Sequence, residues 1–125
     1  MSNIGEIALY FTFVRDQIKF YHWATKSYPR HVASDSLVNN LSSKMDKFIE
    51  VMQGSENKRL TLPKNSKPTF KIESDSSIIV FLNDFKSWLT TELPTYLNKK
   101  DTDLFNIRDD ILVHVNQTLY LFSLS

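Results

Sequence analysis

The stretch that decides the fold is 55-SENKRLTLPKNSKPTFKIESDSS-77. It carries Pro63 and Pro68 among many Lys, Ser and Asn residues, and the helical patterning on either side of it stops. Two pieces, Arg59 to Leu62 and Thr69 to Ile72, look extended and leave room for a small hairpin. A connection this long is unusual inside a compact domain and needs a structural reason. Neither flank is long enough to fold alone, so the stretch belongs inside one domain spanning residues 1–125.

Four helices surround it. From Ile4 to about Tyr28, Ile7, Phe11, Val14, Ile18, Tyr21 and Thr25 recur at the helical interval. Ser27-Tyr28-Pro29 should end that helix, because proline forces the residue before it out of helical geometry. A second helix is expected from about His31 to Gln53, with Leu37, Leu41, Met45, Phe48 and Met52 on one stripe and Gly54 as its cap. The third starts near Ser77, with Asp75 or Ser76 available as cap, and runs to about Asn98, kinked or shortened by Pro94. The fourth begins at Asp101 or Thr102 and runs to the end. Its inward face is Leu104, Ile107, Ile111, Val115, Thr118 and Phe122.

Short connections make each sequential pair an antiparallel hairpin. The 55–77 stretch then reads as a crossover running the length of the bundle. The expected fold is therefore all-α, a ferritin-like four-helix bundle with a long crossover between helices 2 and 3.

Composition narrows the chemistry. Lys and Arg number 15 against 14 Asp and Glu, a net charge of +1, which argues against a DNA-coating or polybasic membrane protein. Gly5 and Gly54 are the only glycines, so no phosphate loop or dinucleotide fingerprint can be built. The absence of cysteine removes disulfides, thiolate metal sites and a Cys nucleophile together. The longest apolar run, Ile78 to Leu82, is far too short to span a bilayer, and no secretory signal is visible. The expectation is a soluble cytoplasmic domain, with no membrane partner, whose chemistry rests on His, Asp and Glu.

Those residues form a pattern. His31, Asp35, Asp46 and Glu50 share the second helix, and His22 precedes them near the end of the first. At about 100° per residue, the four lie within an arc of roughly 100°, centred about 130° around from Leu41. They make a polar seam beside the core face, with Asn39 and Ser42 between the two pairs. Asp35 and Asp46 are about 16 Å apart along the axis, too far to grip one ion. A two-fold axis near Asn39 to Ser42 would set His31 and Asp35 of one chain opposite Asp46 and Glu50 of the other, and His22 could join the same half-site. Such nitrogen and oxygen ligands suit iron, or zinc or another divalent metal. The first helix points the same way: opposite its core stripe lie Leu9, Phe13, Phe20 and Trp23, a second apolar face that an isolated monomer would leave in water.

The segment HWATKSYPRH, followed by Asp35, Asp46 and Glu50, resembles the ferroxidase segment of the DNA-protection-during-starvation mini-ferritins. The stretches HWATKSY, Asp46 to Gly54, and Asp103 through Asn106, Arg108 and Asp109 to Tyr120-Leu121 are similar to a ferritin-like family of phages and large DNA viruses. The resemblance implies a homo-oligomer, at least a two-fold dimer and up to a dodecamer, with iron at His22, His31, Asp35, Asp46 and Glu50 and ferroxidase activity there. A viral protein would act in the host cytoplasm or the virion. His22 and His31 stand closer together than in the mini-ferritins; the chain is also shorter than theirs and has no basic tail, and on those two grounds nucleic-acid binding is not expected.

Simpler readings stand beside these. Asp46 and Glu50 can be a solvated face, and His31 a helix cap or an ion-pair partner. Asp110 and His114, one turn apart on the fourth helix, could complete a metal site inside one bundle with Glu92. Against that, Asp109 and Asp110 can pair with Arg108 or nearby lysines, leaving His114 a satisfied, half-buried side chain. The alternative function is a viral or phage structural or interaction protein on the same scaffold without catalysis.

Overall fold

Ser27 settles where the first helix stops and the second starts. In a computed structural model describing residues 3–125, its side chain accepts the Arg30 N–H at 3.3 Å, and Pro29 occupies the first turn of the helix that follows. Proline is well placed there because a first-turn N–H has no helical partner to lose. Helix α1 therefore spans Ile4–Ala24 and α2 spans Tyr28–Glu56. Ser27-Tyr28-Pro29 opens α2, and α1 ends earlier than its apolar period suggests. At the far end of α2 the left-handed residue is Asn57 (φ 52°, ψ 46°), and Gly54 lies inside the last helical turns. Asparagine tolerates that conformation, so it closes the helix where the sequence pointed to Gly54.

Helix α3 spans Ser77–Ser87 and continues as a π turn, Trp88–Glu92, and a 3-10 turn, Leu93–Tyr96. Pro94 explains the change of winding. The Leu93 N–H reaches back to the Trp88 carbonyl, and Pro94 has no N–H to offer the Leu89 carbonyl next in line. Arg108 of α4 supplies that missing donor at 3.0 Å. Helix α4 spans Thr102–Ser123. No helix among the described residues is long and apolar enough to cross a membrane.

Helix α1 packs on α2 and α3, and α4 packs on the same two. The crossover, residues 57–76, runs along α1 from its first turn to its last. Thr61 crosses at Gly5, the Lys71 N–H meets Gln17 Oε1 at 3.3 Å, and Asp75 accepts from Tyr21 at 2.7 Å. Helix α3 consequently starts beside the end of α1, and every adjacent pair in the bundle is antiparallel. The expected four-helix bundle with a long crossover is the observed fold, and the three predicted apolar stripes are buried, with Thr25 alone half-exposed.

The expected small hairpin is not formed. No strand occurs among the described residues, and the two extended pieces lie on α1 instead of on each other. The second apolar face of α1 changes meaning as a result. Phe70 of the crossover stacks on Phe13 (5.5 Å) and packs against Phe20 (5.2 Å), while Leu9 is half-buried beside Pro63 and Pro68. The chain covers most of this face itself, and Trp23 alone of the four stays largely in water, at 65% exposure.

The two glycines should respond oppositely to alanine. A Cβ on Gly5 would overlap the Thr61 carbonyl oxygen, whereas one on Gly54 meets open space. Urea unfolding should show Gly5→Ala less stable by about 1–3 kcal/mol despite alanine's better helix propensity. Gly54→Ala should gain up to about 1 kcal/mol. A neutral or stabilising Gly5→Ala would mean the crossover does not sit on α1 this way.

Candidate functional site

The early end of α1 frees the His22 carbonyl from the helical ladder, and the connection of Thr25, Lys26 and Ser27 brings His31 back beside it. The two histidines then bond reciprocally. His22 Nδ1 donates to the His31 carbonyl at 2.7 Å and approaches Ser34 Oγ at 3.2 Å, while His31 Nδ1 donates to the His22 carbonyl at 2.9 Å. A carbonyl can only accept, so each ring carries a proton on Nδ1, and in its neutral form keeps the lone pair on Nε2. The rings stack at 4.0 Å with 17° between planes, and His22 is 6% exposed. A backbone carbonyl holding Nδ1–H is the arrangement that orients a histidine for metal binding through Nε2.

Asp35, one turn beyond His31, places Oδ1 3.8 Å from His22 Nε2. Lys19 Nζ lies 3.5 Å from the same oxygen, so an ammonium balances the carboxylate. Thus His22, His31 and Asp35 are brought together at the junction of α1 and α2. Asp46 and Glu50 are not part of this cluster; both are exposed further along α2. Asp46 lines an open groove of about 550 Å³ between α1 and α2, beside Ala8, Thr12, Arg15, Ser42 and Ser43. Among the described residues, no three His, Asp or Glu side chains of one chain converge tightly enough to hold a metal ion.

The internal alternative is not assembled. Asp110 Oδ2 lies 3.7 Å from Lys44 Nζ, Asp109 pairs with Arg108 at 2.8 Å, and Glu92 accepts from the Tyr96 hydroxyl at 3.5 Å. The carboxylates pair as the simpler reading expects. His114 does not fit its half of that reading, because its Nδ1 is buried with no hydrogen-bond partner among the described residues.

A polar clasp that the sequence did not reveal stands next to the histidines. Of the two caps the sequence offers for α3, Ser76 is the N-cap residue, without a side-chain cap bond, and Ser74 and Ser77 brace the turn around it by exchanging backbone and side-chain bonds at 2.8 and 3.0 Å. Asp75 turns to α1 instead, accepting from Tyr21 at 2.7 Å and Thr25 at 2.9 Å. Arg30 closes the clasp: it donates to the Asp75 carbonyl (2.6 Å), the Tyr21 hydroxyl (3.3 Å) and Ser125 (2.9 Å), with its guanidinium over the Phe122 ring. The only local hint is an arginine just inside a proline-started helix, and its partners lie far away in sequence.

The Tyr21 hydroxyl, then Thr25 and the Arg30 charge, hold the Asp75 carboxyl below its ordinary value, while burial raises the Tyr21 phenol. A carboxylate with a lowered folded pKa adds stability above its unfolded value and loses it as pH falls through the folded one. Asp75→Asn should therefore cost about 1 kcal/mol at neutral pH, a figure kept small by solvent exposure. The gap to wild type should close on acidification below about pH 4. Tyr21→Phe should raise the Asp75 titration midpoint in an NMR pH series, and an unmoved midpoint would remove the clasp from the account.

No curated protein and no solved structure matches the chain. Residues 22–122 match a family of unknown function (DUF5856), in a stretch that opens at His22 and includes every candidate ligand together with Arg30 and Asp75. The chain belongs to that family.

Proposed function

We propose that the protein binds iron at a site shared across a two-fold dimer, in the manner of a mini-ferritin, and oxidises ferrous iron there. The observation that carries this reading is the reciprocal bonding of His22 and His31, which fixes both rings with Nε2 as the lone-pair nitrogen and Asp35 alongside. This donor set fits a ferrous ion, since imidazole suits iron and a carboxylate supplies compensating charge. Within one chain the set is short of ligands. Asp46 and Glu50 of the two-fold mate are the natural complement, because they lie on the same polar seam beyond Ser42. The small side chains Ala8, Ser42 and Ser43 along the α1–α2 groove favour close approach of that mate. In this reading the Nδ1–H bonds orient the histidines, Asp35 and the mate's carboxylates neutralise the cation, and Lys19 gives up its place at Asp35. Bound iron supplies the electron passed to oxygen or peroxide. The resemblance to the ferritin-like family of phages and large DNA viruses supports the same reading, with a closed dodecamer and the host cytoplasm or virion as its extensions.

A second reading is a structural or interaction protein that keeps the scaffold without chemistry. It is favoured by Lys19, which already balances Asp35 without a metal ion.

Anaerobic loading with ferrous iron, followed by elemental analysis and mass in solution, separates them. The metal reading expects about one or two irons per chain on an oligomer, as one-ion or two-ion sites require. His31→Ala and Glu50→Ala should each abolish uptake, although the two residues are far apart in one chain. Mixing these two variants with subunit exchange should restore about a quarter of the capacity, because about half of the dimers are mixed and one of the two sites in each regains all its ligands. An oligomer that takes up no iron, or a mixture that recovers none, would leave the scaffold reading.

A further inference from the structure

The net charge of +1 conceals a strong local imbalance. Between Asn57 and Ile72 the crossover carries Lys58, Arg59, Lys64, Lys67 and Lys71 and no carboxylate, leaving the rest of the chain net acidic. All five cations are exposed. Lys71 pairs with Glu73 at 3.6 Å, and no ion pair within 4 Å engages the other four among the described residues. Glu6 beside Lys67, and Glu73 and Asp84 beside Lys71, are the carboxylates that line the adjoining grooves, too few to neutralise the segment.

Exposed apolar side chains are interspersed with this charge. Leu62 is 60% exposed and Ile72 63%, and Trp23 stands beside Phe20, which packs on Phe70. Positive charge alone would suit any polyanion, so the apolar component decides the partner. Phe70 is the one aromatic residue of the segment. It is 38% exposed, but its ring is already stacked on Phe13 and packed against Phe20, which leaves it poorly placed to stack on nucleic-acid bases. Leu62 and Ile72 are aliphatic and gain nothing from a phosphate backbone. Both gain by leaving water for the boundary between lipid headgroups and acyl chains, and an indole such as that of Trp23 prefers the same depth.

We propose that the crossover is a docking strap for an anionic lipid surface, its cations meeting acidic headgroups while Leu62, Ile72 and Trp23 dip into the interface. The protein would lie side-on, because the strap follows the length of α1. Nothing in the proposal depends on metal binding.

The test is co-sedimentation of the whole protein with phosphatidylcholine vesicles, with and without phosphatidylserine, beside binding to a single-stranded oligonucleotide. Binding should need phosphatidylserine and should weaken as salt is added. The variant Lys58→Gln/Arg59→Gln/Lys64→Gln/Lys67→Gln should bind about fivefold more weakly for each cation removed. Leu62→Ser/Ile72→Ser should lose vesicle binding by a further large factor while leaving oligonucleotide binding unchanged. All six positions are exposed, and both variants should keep the wild-type melting curve. No retention on phosphatidylserine vesicles at low salt would overturn the proposal. So would vesicle binding indifferent to Leu62 and Ile72, which would leave a charge-only strap for polyanions such as nucleic acid.

Discussion

The seat of the crossover on α1 is the contact on which the rest of the structure depends. Joining α2 to α3 across the full height of the bundle makes each helix antiparallel to both its neighbours. That topology needs a long extended segment to find a groove and stay in it. Three kinds of interaction hold it there. Thr61 crosses at a glycine with no side chain to obstruct it. Phe70 packs into the aromatic face of α1. Gln17, buried in α1, bonds both the Lys71 N–H and Glu73, and such buried polar groups are costly if left unpaired. The polar contacts fix where along α1 the strap lies, which apolar packing alone does not specify.

The histidine pair depends on the same end of the bundle. Tyr21, Thr25 and Arg30 flank His22 and His31 in sequence, and all three bond Asp75 at the close of the crossover. The clasp ties the α1–α2 junction to the start of α3 and to the end of α4 through Phe122 and Ser125. A junction braced on three sides can hold two imidazoles in fixed tautomers. A free three-residue connection would let them rotate, and a preorganised pair of donors loses less entropy on meeting a ligand.

What the sequence made legible follows from which interactions are local. The apolar stripes were readable because period and burial are the same fact viewed along one helix. The helix ends were not: the Ser27 hydroxyl caps α2 at a proline that reads equally well as the end of α1, and Asn57 closes α2 by a left-handed backbone conformation that leaves little mark on composition. The spacing from His31 to Glu50 could be read as a seam, but the reciprocal bonds could not. They require α1 to stop at Ala24; had it continued to Tyr28, the Lys26 N–H would occupy the His22 carbonyl that His31 uses. The clasp and the crossover's seat join residues some fifty positions apart, such as Tyr21 with Asp75. Pairings at that range leave no periodic signature in a single sequence.

The two proposals meet in a geometric consequence. A two-fold axis that lays α2 antiparallel to its twin must lie in the interface and perpendicular to the helices. Where α1 and α2 lie side by side on the face that meets the mate, as a seam shared by His22, His31 and Asp35 requires, rotation about such an axis leaves the direction from α2 to α1 unchanged. The crossover lies on the far side of α1, toward α3, as the groove shared by Phe13, Gln17, Lys71 and Phe81 shows. In that dimer both straps therefore face the same way, while the metal site sits at the interface beneath them. A parallel dimer, with its axis along the helices, would turn the straps to opposite sides and would also keep His31 away from the mate's Glu50. The arrangement that completes the metal site is thus also the one that presents two basic straps to a single flat surface. There, the second contact follows the first at high effective concentration.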